Sequence, residues 1–192
     1  MGNVRKRILL VGIVVIIFLL FIFLLPIISA QECKRKGISA TNLKVIGMAI
    51  RAYAEDNDDL LPPLYYQKKY WFEFLEPYFN EMSSDLTKSK ITICPSNKNH
   101  IWKGTNYIYN GHYENRKISD FKHPEDSFLI MDGKPDISPF FTKNNYKFCI
   151  DFRHGCHKDG SCLNVLFVDG SITHIGAKST FKDNQLYGYL RS

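Results

Sequence analysis

Five side chains able to ligate metal crowd one short stretch: His154, Cys156, His157, Asp159 and Cys162. Thiolate and imidazole together suit Zn²⁺ or copper. The stretch holds no CxxC and no second ligand pair at finger spacing, so metal binding is the weaker reading of it. The stronger one is a local Cys156–Cys162 disulfide, stapling a glycine-containing loop outside the cytoplasm. Cys94–Cys149 is a lesser second pair that leaves Cys33 single, and spacing alone leaves the connectivity open. A catalytic set of Cys156, His154 and Asp151 lacks any local motif of a cysteine nucleophile. Arg153 and His154 instead read as anchors, by hydrogen bonds, for the loop before the final hairpin.

Two other stretches carry chemistry-bearing types. Asp56-Asn57-Asp58-Asp59 offers oxygen ligands but lacks the glycine and terminal glutamate of an EF-hand, so it reads as a polar turn ending a helix. Trp71, Trp102 and the Tyr107–Tyr113 cluster could stack on sugars or single-stranded nucleic acid. Residues 97–118 interleave basic and aromatic side chains. Such interleaving is common on ordinary surfaces, and Trp71 reads as core. No GxGxxG, P-loop, HExxH or GxSxG occurs, so nothing in the motifs points to an enzyme or a cofactor.

The elements that must position these residues begin in a membrane. Ile8 to Ala30 is an uncharged apolar run of 23 residues. At about 1.5 Å of rise per residue it makes a helix of about 35 Å, enough for a hydrocarbon core of roughly 30 Å. Arg5, Lys6 and Arg7 precede it and favour an N-terminus in the cytoplasm. Cleavage after Ile28-Ser29-Ala30 is the alternative, but the run is longer than the apolar core of a signal peptide. The chain carries 25 Lys+Arg against 19 Asp+Glu. Without its first 30 residues only +3 remains, weak grounds for a nucleic-acid partner.

Leu43, Ile46, Ile50 and Tyr53 recur at helical spacing, and no proline lies between Pro26 and Pro62. The membrane helix therefore continues to about Glu55, on the order of 70 Å in all, with a kink expected at Pro26. A short helix is expected at Lys69–Phe79. Strands are expected at Lys90–Cys94, Ser127–Met131, Tyr146–Phe152, Leu163–Val168 and Ser171–Ile175. Asp169-Gly170 between the last two predicts a type I′ hairpin. The predicted class is α+β: a long kinked N-terminal helix packed on a small antiparallel sheet. Residues 1–7 are a cytoplasmic tail, 8–30 the transmembrane helix, 31–58 its amphipathic continuation and 59–192 the exported head.

The chain resembles the prepilin-like proteins related to the major pseudopilin of type II secretion. The resemblance is carried in order by Leu24-Leu25-Pro26, Asn42-Leu43-Lys44-Val45-Ile46-Gly47, Tyr53-Ala54-Glu55-Asp56-Asn57-Asp58 and Leu61-Pro62-Pro63. It continues through Trp71, Leu75, Pro77, Tyr78 and Phe79, then Cys94-Pro95-Ser96 and Tyr107-Ile108-Tyr109-Asn110. It ends on Arg153-His154 and Asn164-Val165-Leu166-Phe167-Val168-Asp169-Gly170. It implies a pilin-like fold and a non-enzymatic role in envelope assembly or secretion at the inner membrane. Partners would be the bilayer and other pseudopilin-like subunits or secretion machinery, with no small-molecule substrate.

Two departures stand out. Val4 and Leu9 occupy the places of the family's cleavage glycine and register glutamate. Fourteen residues separate His154 from Asp169, more than in the family's His-spacer-Asp-Gly signature, and the excess includes Cys156, His157, Asp159 and Cys162. The missing processing signal raises the alternative of a tethered binding module for glycan or another polymer.

Overall fold

In the computed structural model, residues 2–82, 91–96, 101–157 and 160–179 are described. Helix α1 runs unbroken from Gly2 to Asp56, a rod of about 80 Å. It is the one described helix long and apolar enough to cross a membrane. Its two halves bury different amounts. From Leu9 to Leu24 every side chain is exposed, as suits contact with lipid. From Ser39 on, a stripe of Leu43, Ile46, Ala49, Ile50 and Ala54 is fully or almost fully buried. The kink expected at Pro26 falls on a residue whose side chain lies outside the described set.

The helix ends where the acidic run was expected to turn it. Asn57 Nδ2 donates to the Tyr53 carbonyl at 2.7 Å, and the Asp59 amide reaches back to Ala54 at 2.8 Å. Asp58 and Asp59 both take positive φ, the left-handed geometry that closes helix C-termini. Asp56 accepts from the Tyr78 hydroxyl, and Asp59 from the Ser119 amide.

A hairpin of β1 (Tyr65–Tyr66) and β2 (Lys69–Tyr70) follows, then α2 (Glu76–Met82). The helix expected at Lys69–Phe79 thus divides. Its first residues pair as a strand, and Trp71–Glu73 form only a single tight turn. The main sheet has the order β5-β3-β4-β7-β6, with β8 also on β7. Its strands are β3 (Tyr107–Asn110), β4 (Phe128–Asp132), β5 (Phe140–Phe141), β6 (His154–His157), β7 (Gly160–Phe167) and β8 (Ile172–Gly176). All pairs are antiparallel except β3 with β5.

Two expected strands are not strands. Ile91–Cys94 makes no ladder, although Ile91 and Cys94 are buried. Tyr146–Cys149 is a short helix, α3, followed by a single bridge between Ile150 and Gly133. Both segments have strand-like composition, but the loop-and-helix path lets them cover the sheet rather than extend it.

Two cores result. One lies between the sheet and α1 and includes Leu43, Ile46, Trp71, Tyr107, Tyr109 and Leu166. The other lies on the opposite face, where Phe141, Cys149 and Ile150 cover Ile108, Met131 and Val165. A register shift between Phe128 and Ile130 explains why Leu129 and Ile130 both join the α1 side.

The β7–β8 turn differs from the expected type I′. Only Gly170 has positive φ, at +84°. The Gly170 amide bonds the Phe167 carbonyl at 3.0 Å, and the Phe167 amide bonds Ser171 at 2.9 Å. This is a three-residue loop, Val168 to Gly170, with glycine at its left-handed position. The third residue lets α1 grip the turn: Lys44 Nζ reaches the Gly170 carbonyl at 3.1 Å, and Arg51 the Asp169 carbonyl. A side chain at Gly170 would also meet Arg51 Nε at 3.3 Å. Gly170→Val should therefore destabilise the head by about 1–3 kcal/mol, and an unchanged melting temperature would contradict this turn.

Candidate functional site

Strand β7 builds the site along one edge. Its Val165–Phe167 half pairs with β4 and its Gly160–Cys162 half with β6. β8 pairs with Cys162–Leu166 on the other edge. So the end of β4 and the start of β6 lie in line, with Asn164 beside the gap. Asp132 ends β4, His154 begins β6, and their side chains meet there: His154 Nε2 donates to Asp132 Oδ2 at 3.0 Å. Both are fully buried.

Other elements close the gap. The Asn164 amide donates to Asp132 Oδ2 at 2.7 Å. From α1, Ser39 Oγ donates to Asp132 Oδ1 at 3.2 Å and lies 3.1 Å from the Tyr107 hydroxyl. The loop before β3 brings Cys94 Sγ to 3.8 Å from His154 Nε2, and Ser96 Oγ to 3.1 Å from His154 Nδ1. Ser96 Oγ also donates to Glu32 Oε2 of α1 at 3.3 Å. Arg153 NH1 stands 3.9 Å from Asp132 Oδ1, and Nε 3.2 Å from Asp151. Its NH2 donates to the Asn106 and Gly133 carbonyls.

Burial penalises every charge here, and the partners outweigh it. Asp132 is held below the usual carboxylate range: burial pushes it up, but the His154 hydrogen bond and the Arg153 charge win. His154 is raised to about 9: burial lowers it, and the bonds to Asp132 and Cys94 more than compensate. Burial, with Asp132 close by, keeps the Tyr107 phenol neutral. A protonated imidazole then completes a chain from Asp132 through His154 and Ser96 to Glu32.

Unfolded histidine titrates near 6.5. The His154 contribution to stability is therefore complete below that pH, falls between 6.5 and about 9, and is gone above. Asp132 adds stability that is lost in acid, as pH drops through its lowered value. With chelator present, stability should fall from pH 6.5 to 9 by up to ~1.4 kcal/mol per unit. Urea midpoints across that range check this, and His154→Gln should flatten the slope.

No protein-family profile, curated protein or solved structure matches this chain. The site must be read from its own geometry.

Of the residues singled out from sequence, Arg153, His154 and Asn164 come together. Cys162 faces His154 across β6 and β7 as a buried thiol without a disulfide among the described residues. The expected Cys156–Cys162 bridge turns on Cys156, whose side chain lies outside the described set. Cys156 and His157 lie in β6 with side chains outside the described set, and Asp159 lies outside it altogether. Cys94 and Cys149 are also unbridged, because they belong to the cores on opposite faces of the sheet. Asp151 pairs with Arg153 rather than serving a cysteine. Asp169 and Gly170 sit at the hairpin turn, where Asp169 Oδ1 accepts from the Ser171 amide at 2.8 Å.

Sequence reasoning passed over Asp132, Ser39, Ser96 and the role of Cys94. One signal was available: Asp132 is a lone carboxylate closing the apolar run Phe128–Met131. A charge at the end of a buried strand demands a partner.

Chemically, the order Ser96–His154–Asp132 has the outline of a nucleophile, base and orienting acid. Ser96, however, gives its proton to Glu32, and Asp132 is already engaged by Arg153, Ser39 and Asn164. What the arrangement does offer is a mixed donor set. One ligand atom each from Cys94, Asp132 and His154 lie within 4.8 Å of one another.

Proposed function

We propose that this chain is a single-pass membrane protein of the pseudopilin-like kind, acting without catalysis in envelope assembly or protein secretion. Its N-terminus lies in the cytoplasm, its anchor in the inner membrane and its head outside. The observation that carries this reading is α1 itself. One unbroken helix supplies both the exposed apolar half and the stripe on which the head is built. A head fixed this way cannot swivel on a linker. Anchors packed side by side therefore hold their heads in register, which an assembling subunit needs.

Crosslinking in native membranes tests it. A ladder of oligomers is expected, and a strictly monomeric protein would overturn the assembly role.

A second reading, a tethered module binding glycan or another polymer, draws on an aromatic corner. Tyr65 packs on Tyr70 at 4.6 Å between ring centroids, Tyr70 meets Trp102 edge-on at 4.4 Å, and Lys103 Nζ lies 4.7 Å from the Tyr70 ring. Exposed Tyr65 and Tyr66 line a neighbouring groove with Phe74, Asn57 and Asn115. Glycan retention abolished by Trp102→Ala would favour this reading over the first.

A further inference from the structure

We propose that Cys94, Asp132 and His154 form a binding site for a zinc-like divalent ion, built beneath α1 at the gap between β4 and β6. The three residues come from three separate segments and all are fully buried. Their potential ligand atoms differ in kind: a sulfur, an imidazole nitrogen and a carboxylate oxygen. That mixture suits Zn²⁺, whereas Ca²⁺ and Mg²⁺ call for oxygen throughout.

The spacing fits. Zinc takes sulfur at about 2.3 Å and nitrogen or oxygen at about 2.0–2.2 Å, so neighbouring tetrahedral ligands stand roughly 3.2–3.7 Å apart. Here the nitrogen lies 3.0 Å from the oxygen and 3.8 Å from the sulfur, close to that range, while sulfur and oxygen, within 4.8 Å of each other, would draw together on binding. His154 Nε2 also has the Asn164 side-chain amide at 3.1 Å. Three groups thus converge on a nitrogen that carries a single proton, and an ion at their centre satisfies all of them. With its amide turned, giving up the 3.4 Å bond from its nitrogen to the Lys36 carbonyl, Asn164 would offer its oxygen as a fourth ligand and its nitrogen to His174.

The surroundings hold each ligand in place, as metal sites require. Ser96 binds the other imidazole nitrogen. Ser39 and Arg153 engage Oδ1 of Asp132, while Oδ2 accepts from the Asn164 backbone amide at 2.7 Å and keeps a second lone pair for the ion. Asn106 fixes Cys94 through both its backbone amide, at 2.7 Å, and its carbonyl, at 3.2 Å. Zn²⁺ takes Cys94 as thiolate and His154 through an unprotonated Nε2, so binding displaces the protons those atoms carry to solvent.

The site is distinct from the one suggested by the run of Cys156, His157, Asp159 and Cys162, with which it shares only His154. It does not depend on the assembly role.

The test uses the full chain in detergent, reduced and stripped with chelator, then titrated with Co²⁺ and Zn²⁺. A single Co²⁺ per chain is expected, with the strong visible bands of a four-coordinate ion and a thiolate charge-transfer band. Cys94→Ser should lose that charge-transfer band, while the Cys156→Ser/Cys162→Ser double variant keeps it. X-ray absorption of zinc-loaded wild type should find one sulfur among nitrogen and oxygen ligands, which needs no variant to fold. Absence of metal uptake by the folded wild type would overturn the proposal. So would two or more sulfurs around the ion, or a charge-transfer band that survives Cys94→Ser and vanishes in the double variant.

Discussion

Asp132→Ala should be among the most damaging single substitutions in the head, costing about 3–5 kcal/mol. The aspartate accepts from His154, Ser39 and the Asn164 amide, and it faces Arg153 across 3.9 Å. Alanine would remove all of these at once, leaving the buried His154 without its anion and Arg153 with Asp151 alone. Arg153 cannot release its proton, because a guanidinium stays charged at any accessible pH. His154 can, so its value should drop towards or below that of free histidine, relieving part of the cost. The melting temperature should fall by on the order of 10 °C for a domain of this size. Asp132→Asn keeps the shape and one acceptor, and should cost less. Equal loss in both variants would locate the effect in the missing charge, and a mild Asp132→Asn would locate it in shape and the retained acceptor.

Ile46→Asp should have a comparable effect for a different reason. Ile46 is fully buried between α1 and the sheet, in the core that also holds Leu166 and Tyr109. Its neighbours in this core are apolar or aromatic, so a carboxylate there would be desolvated with no cation in the cluster to meet it. Such burial costs several kcal/mol. Because the stripe is what seats the head on its helix, the head should lose cooperative unfolding and become open to protease while the anchor stays in the membrane. Met48, two residues on, is 48 % exposed. Met48→Asp should change stability by no more than about 0.5 kcal/mol. If both variants were tolerated alike, α1 would not be the element on which the head is built.

What could be read in advance follows from the range of the interactions. The 23-residue apolar run and the stripe from Leu43 onward are local, periodic signals, and α1 fulfils both. The β7–β8 hairpin was legible because Asp-Gly marks a turn by its own backbone preference. Its three-residue loop is gripped by α1 through Lys44 and Arg51, contacts that no local pattern discloses. Lys90–Cys94 and Tyr146–Phe152 have strand-like composition. Tertiary cover of the sheet overrode it, as β propensity largely measures packing context.

The polar site was only half legible. Arg153, His154 and Asn164 drew notice together, near one another in the chain. Asp132 lies 22 residues from His154, and Cys94 lies 60 away. Only the alignment of β4 and β6 on one edge of β7 brings them to the same point. The conspicuous run around Cys156 and Cys162 drew the eye to ligands close in sequence, while the buried donor set comes from distant segments.

On the proposed function, the first half of α1 is retained as an anchor and continues without a break into the head. Membranes from cells producing the full chain, extracted and examined by N-terminal sequencing and intact mass, test it most directly. The protein should remain with the membrane and begin at Met1 or Gly2. A soluble product beginning at Gln31 would contradict it.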